Sequence, residues 1–294
     1  MIQVGLLWSL AAAVVLGVYL FVYKHSFDEL PSPVYVATVE VAGLCWYAVI
    51  AAVTWPAGEP LVPASLTTGD VLLLVGVCGV VAGANLVSMH ALNLGDVSYV
   101  ATLNKLVPAF VLPIEVLLLT VRPSGYQVAG LALAVVAIYV ANYEGGGFTT
   151  PFRRAAKYTP ARFALVGALL FAGGDVGVRA VLSRTALEPQ AVALATFAGV
   201  AGVAVPLALR RVEWPRLRRA LPGIVGLALF LAVGVHLTTI ALSVASASVV
   251  SPIVNTQAVV AVLLGGVILG ERGLPRRLGA AVLAVGGVAL IAAG

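Results

Sequence analysis

Between Ala241 and Ile291 the sequence contains two apolar segments, each long enough to span a membrane, joined by a short charged turn from Glu271 to Arg277. The first segment carries Pro252, which removes one backbone donor and frees a carbonyl at mid-depth. In lipid, such groups are tolerated only where protein or a water-filled cavity satisfies them. These segments therefore predict membrane-spanning helices, the first of which faces the interior of a bundle.

The same pattern occurs 150 residues earlier in the chain, without a gap. The matched pairs are Ala91 with Ala241, Leu92 with Leu242, Ser98 with Ser248, Val100 with Val250, and Arg122 with Arg272. An internal repeat of this length in an apolar chain indicates two homologous halves. We therefore predict one repeat over residues 1–144 and a second over residues 162–294, joined by a polar connector at 145–161.

This stretch resembles the second half of an EamA-type transporter of the drug/metabolite transporter superfamily. The resemblance is carried by a helix that opens with Ala241-Leu242, the mid-helix Pro252, the end Gly270-Glu271-Arg272, and a last helix with Gly279-Ala280 and Gly286-Gly287. The first half matches less closely, because Val121 replaces the glutamate of the Gly-Glu-Arg end. The resemblance implies an all-α membrane protein with ten transmembrane helices, arranged as two inverted five-helix repeats.

The composition supports a single membrane domain. The chain of 294 residues is 61% hydrophobic and 10% charged, whereas soluble domains contain about 25% charged residues. The net charge of +5 fits basic loops near anionic lipid head groups and does not indicate nucleic acid, because most of the arginines lie in short turns. The expected partners are the lipid bilayer and a small-molecule substrate, and the expected location is the plasma membrane. No Cys/His metal spacing, ATP-binding motif or cofactor motif is present.

Two arguments about orientation disagree. Basic residues favour the cytoplasm, and they are concentrated in the odd-numbered loops between predicted spans. Examples are Lys24, Arg153, Arg154, Arg210, Arg211, Arg276 and Arg277. The charge count therefore places both termini outside the cytoplasm, whereas the resemblance implies that both lie inside. We follow the charge count.

Ionisable residues inside predicted spans are costly and mark functional positions by default. Such residues are Glu40, Lys105, Glu115, Asp175 and Arg179. Asp175 and Arg179 are four residues apart on one helix, so they form either a self-satisfied ion pair or a substrate contact. Lys105 lies about a third of the way into its span and is flanked by Asn104, which favours a position on the transport path. Glu40 and Glu115 are candidate carriers of a coupling proton.

The repeat adds weight to a site at the interface between the halves. At the repeat offset, Lys105 superposes on Asn255 and Thr102 on Pro252, so polar or helix-breaking residues occur at matching depth in both halves. The predicted substrate-binding residues are Asn85, Ser88, Asn104, Lys105, His236, Asn255 and Gln257. Lone histidines on apolar helices are more often packing residues than ligands, and that alternative stays open for His236.

We predict a secondary transporter of a small organic metabolite, working by alternating access through a central cavity. The resemblance implies an amino-acid-like or other small solute and favours export. The alternative within transport is a carboxylate-coupled exporter of cations or drugs. The alternative outside transport is a membrane protein that acts as an enzyme or as an assembly partner. The enzyme reading has little support, since Gly173-Gly174-Asp175 is the only hint of an intramembrane aspartyl protease and no second catalytic aspartate is evident.

Overall fold

The computed structural model describes residues 2–27, 30–94, 106–120, 122–141 and 158–268, together with helical positions between 279 and 291. The helices are α1 (Ile2–Ser26), α2 (Ser32–Thr54), α3 (Thr68–Leu94), α4 (Val107–Leu119), α5 (Gly125–Ala141), α6 (Thr159–Arg184), α7 (Pro189–Leu209), α8 (Trp214–Val244), α9 (Ala247–Asn255) and α10 (Gln257–Ile268). All regular structure within these ranges is helical.

Seven segments in the described ranges are long and apolar enough to cross a membrane. They are α1, α2, α3, α6, α7, α8 and the combined stretch of α9 and α10, Ala247–Ile268, which continues through Thr256. The chain is therefore a multi-pass membrane protein, as the sequence predicts. The count of ten spans stays a prediction, because the fourth, fifth and last predicted spans lie partly outside the residues that the structure describes.

The helical segment that carries Pro252 is interrupted at Thr256, between α9 and α10. Side chains supply hydrogen bonds at this break. The Asn255 amide donates to the carbonyl oxygen of Ser251 at 2.9 Å, and the Thr256 hydroxyl donates to the carbonyl of Ile253 at 2.6 Å. Asparagine and threonine compete with helical backbone bonds in this way, so the polar residues that follow the proline explain why the helix is broken here.

The packing of the helices follows the division into halves. α3 packs along α6, and the corresponding pair, α8 and α1, also packs together. Two further contacts are repeated in the same way. α2 packs against α8 as α7 packs against α3, and α1 packs against α9 as α6 packs against α4. α2 contacts α7, and α4 contacts α9. This is the pattern expected if α1 to α4 correspond to α6 to α9 across a two-fold axis.

Glycines allow the helices of the two halves to approach closely. A Cβ added to Gly43 of α2 would lie 2.7 Å from the ring of Phe197 on α7. Gly167 of α6 lies directly against Ser88 of α3, so a Cβ at Gly167 would overlap the serine hydroxyl. Small residues at helix contacts are a general means of packing in membranes. Here they fix α2 and α3 against α6 and α7 around the centre of the bundle.

Candidate functional site

A cavity of about 380 Å³ lies between the two halves, lined by residues of α1 to α4 on one side and of α6 to α9 on the other, and by Gln257 at the start of α10. Most of its wall is aliphatic and aromatic. The polar side chains in the wall, apart from tyrosines, are Glu40, Asn85, Ser88, Asp175, Thr196, Thr238, Thr239, Ser251, Asn255 and Gln257. A mostly apolar cavity with a few converging polar groups is the usual form of a small-molecule site.

Asp175 of α6 is connected to α9 by hydrogen bonds. Its carboxylate oxygen Oδ2 accepts a hydrogen bond from the Ser251 hydroxyl. The same hydroxyl oxygen lies 3.3 Å from the amide nitrogen of Asn255, which can only donate. Ser251 therefore accepts from Asn255 and donates to Asp175, and the hydroxyl proton has one defined direction. Within the described part of the chain no other hydrogen bond holds the Asp175 carboxylate, and none of these residues occupies its Oδ1.

The ion pair between Asp175 and Arg179 does not form. Instead, the Arg179 guanidinium donates from Nη1 to the carbonyl oxygens of Leu242 at 2.8 Å and Ser243 at 3.0 Å, at the end of α8. A cation at the C-terminal end of a helix interacts favourably with the free carbonyls there. Arg179 thus joins α6 to α8. Asp175 has no cationic partner among the described residues.

Glu40 of α2 also lines the cavity, and only 9% of its surface is exposed. Within the described ranges no hydrogen-bond donor reaches its carboxylate. The adjacent hydroxyls of Tyr19 and Tyr35 bond to each other at 3.0 Å. Two of the predicted substrate-binding residues, Lys105 and its neighbour Asn104, lie outside the described residues, so their roles stay predictions. The cavity thus has a carboxyl group from each half.

Asn85 and Ser88 of α3 supply further polar atoms. The Asn85 amide nitrogen donates to the carbonyl of Val81 at 3.0 Å within its own helix, which leaves the amide oxygen for other partners. The Ser88 hydroxyl is buried and has no hydrogen-bond partner within the described ranges. Gln257 lies in the cavity wall just after the break. The structure therefore brings together Asn85, Ser88, Asn255, Gln257 and Glu40 from the predicted set.

His236 does not line the cavity. Its Nδ1 lies 3.1 Å from the Tyr47 hydroxyl, and the two rings pack at a tilted angle with centroids 5.8 Å apart. Tyr47 is fully buried against Phe197 and Ala232. This arrangement corresponds to the packing role left open for His236, and it links α2 to α8 next to the cavity.

Glu115 of α4 lies outside the cavity wall and is completely buried. Its two carboxylate oxygens accept the backbone N–H groups of Ala247 and Ser248, each at 2.7 Å. These are the first two residues of α9, whose free N–H groups and dipole favour a negative charge. Glu115 therefore caps the N-terminus of α9 from another helix. Its role as a proton carrier stays a prediction that this placement does not favour.

Ser251 is not among the predicted substrate-binding residues, although the sequence contains a pattern that indicates it. Ser251 precedes Pro252 and lies four residues before Asn255, so the two polar side chains share one helix face. The link from this face to Asp175 is a tertiary contact, and spacing within one helix does not reveal it. The tyrosines of α1 and α2 were also not selected, since aromatic residues in an apolar span are usually packing residues.

Comparisons with known proteins bear on the family and the fold. The profile of the EamA-like transporter family matches residues 3–143 and, separately, residues 160–293. A comparison with curated proteins finds no match. One solved structure, described only as "Crystal structure of protein", is similar over 97% of this chain and 94% of its own length, with a TM-score of 0.77 and 16% sequence identity. At that identity the likeness shows a shared fold alone. The family match over both halves confirms the resemblance drawn from the sequence.

Proposed function

This chain belongs to the EamA-like transporter family, and from that premise we propose that it is a secondary transporter of a small organic solute. In this proposal ten helices form two inverted repeats that rock against each other around a fixed site, as in other repeat-built transporters. The observation that carries the proposal is the cavity between the two halves, because both halves contribute polar side chains to its wall. The first half contributes Glu40, Asn85 and Ser88, and the second half contributes Asp175, Ser251 and Asn255. Export across the plasma membrane is part of the proposal.

We place the amino group of the solute at Asp175. The Asp175 carboxylate is buried in a mostly apolar wall and has no cationic partner among the described residues. Such a group attracts a positively charged ligand, since an uncompensated buried charge is costly. An ammonium group at Oδ1 would neutralise Asp175 without disturbing its bond to Ser251. The amides of Asn255 and Gln257 would bind the polar remainder of the solute. In a zwitterionic substrate such as an amino acid, Lys105 would take the carboxylate.

The second candidate is an exporter of organic cations that is coupled to a carboxylate. It is favoured by one observation, that none of the described residues in the cavity wall is a lysine, arginine or histidine, whereas Glu40 and Asp175 are both present. In this alternative Glu40 exchanges a proton while Asp175 holds the cation. The two candidates differ in whether the substrate needs a carboxylate of its own.

Flux measurements in liposomes test the proposal and separate the candidates. Purified protein is reconstituted, and a panel of amino acids is compared with the matching decarboxylated amines and the matching N-acetylated acids, with and without a pH gradient. We expect saturable transport of solutes that carry an amino group and none of the N-acetylated acids. Preference for amino acids supports a zwitterionic substrate, and preference for the amines supports the cation exporter. Transport of N-acetylated acids alone, or of nothing in the panel by folded protein, would contradict the proposal.

A further inference from the structure

An apolar groove of about 640 Å³ lies on the outer surface of the bundle, between α2, α7 and α8. Its wall consists almost entirely of apolar side chains. They include Val34, Val41, Trp46 and Val49 of α2, Val205 and Leu209 of α7, and Trp214, Leu221 and Val225 of α8. The groove is separate from the central cavity, with which it shares no lining residue.

The groove is long enough for a lipid chain. Its wall follows α2 from Val34 to Val49, about 22 Å at 1.5 Å per residue. One leaflet of the hydrocarbon core is about 15 Å deep. Trp46 lies in the wall, where its indole N–H donates to the carbonyl of Val225 at 2.9 Å and holds α2 against α8. The groove therefore has a fixed wall as well as sufficient length.

One end of the groove is strongly basic. Arg210 and Arg211 lie between Leu209 and Val212, which both line the groove. Arg218 lies four residues after Trp214 and three before Leu221, on the helix stripe that faces the groove. The three residues are exposed, and no carboxylate or other hydrogen-bond partner holds their guanidinium groups in the described ranges. They differ in this respect from Arg216, whose Nε lies 3.1 Å from Oε2 of Glu213.

Trp214 marks the depth of this end in the membrane. It begins α8 beside the arginines, and it is 56% exposed. Exposed tryptophans of membrane proteins are enriched at the level of the lipid head groups. The apolar groove thus extends from the head-group level into the hydrocarbon, with Arg210, Arg211 and Arg218 at the polar end.

We propose that this groove binds one phospholipid with an anionic head group. An acyl chain fills the apolar groove, and the phosphate and head group contact Arg210, Arg211 and Arg218. Arginine pairs with phosphate through charge-assisted hydrogen bonds, and basic clusters beside spans select anionic lipids. A second copy of the chain fits this face less well, because a two-fold contact would bring the same arginines against each other. The site is independent of the transport proposal.

Quenching of tryptophan fluorescence by brominated lipids tests the site directly. Trp8→Phe and Trp55→Phe leave Trp46 and Trp214 as the only tryptophans, and both line the groove. The protein is reconstituted in mixtures of a phosphatidylglycerol and a phosphatidylcholine, with bromine on one lipid at a time. The dependence of quenching on lipid composition gives the association constant of the anionic lipid relative to the zwitterionic one. We expect a clear preference for phosphatidylglycerol.

Arginine variants identify the basis of that preference. Arg218→Gln and the double variant Arg210→Gln, Arg211→Gln should each reduce it, on the order of fivefold for each arginine removed. The matched control is Arg184→Gln, which removes an exposed arginine at the end of α6. Equal association of both lipids in the parent protein, or an undiminished preference in the arginine variants, would overturn the proposal. Absence of quenching by either lipid would show that protein covers the groove and would also overturn it.

Discussion

Asp175→Asn is expected to lower the transport rate on the order of ten- to a hundredfold, because a hydrogen bond to a charged group contributes about 1.5–3 kcal/mol. Asparagine keeps an oxygen that can accept the Ser251 hydroxyl, so the contact between α6 and α9 is retained. The variant should therefore reach nearly the folded yield and melting temperature of the parent. The measurement is solute flux in liposomes, with the melting temperature recorded on the same preparation.

Two companion variants make the result specific. Glu59→Gln removes an exposed carboxylate that does not line the cavity, and it should leave transport unchanged. Ser251→Ala removes the hydroxyl that bonds Asp175 but keeps the carboxylate, so it should reduce transport less than Asp175→Asn does. Full transport by a stable Asp175→Asn protein would remove Asp175 from the site.

Glu115→Ala is expected to lower the free energy of unfolding by about 3 kcal/mol. The change leaves two buried N–H groups at the start of α9 without their acceptors, and each hydrogen bond to a charged group contributes about 1.5–3 kcal/mol. Glu115→Gln keeps one acceptor oxygen and should lose about half as much. Equilibrium unfolding in detergent measures both changes.

The same pair of variants separates a structural role from proton coupling. If Glu115 only caps α9, Glu115→Gln should keep the dependence of transport on a pH gradient, even where its stability is reduced. A Glu115→Gln protein that is as stable as the parent but has lost that dependence would contradict the capping role. It would restore Glu115 as a candidate proton carrier.

The sequence predicts the helical membrane bundle and the general position of the cavity because both follow from local patterns. Apolar segments of sufficient length require spanning helices, and polar residues inside them are costly unless they face an interior space. Glu40, Asn85 and Asn255 were identified in this way, and the structure places all three in the cavity wall. Pro252 likewise marked the apolar segment that the structure shows to be interrupted, but the break itself lies at Thr256, four residues further on.

Side-chain partners could not be predicted in the same way, because they depend on contacts between helices. The spacing of Asp175 and Arg179 permits an ion pair, yet the long Arg179 side chain reaches the carbonyls of another helix. Glu115 appeared as an isolated acid in an apolar span. Its function as a cap depends on the N-terminus of α9, which is 132 residues away in the sequence. Periodicity within one helix carries no information about such neighbours.

The central claim is that the cavity opens in turn to each side of the membrane. It can be measured with a single cysteine at Asn85, after replacement of the two native cysteines by Cys45→Ser and Cys78→Ala. A membrane-impermeant thiol reagent is applied to oriented vesicles from one side and then from the other. We predict labelling from both sides, slowed in each case by a transported solute. Labelling from only one side, whether or not solute is present, would contradict alternating access.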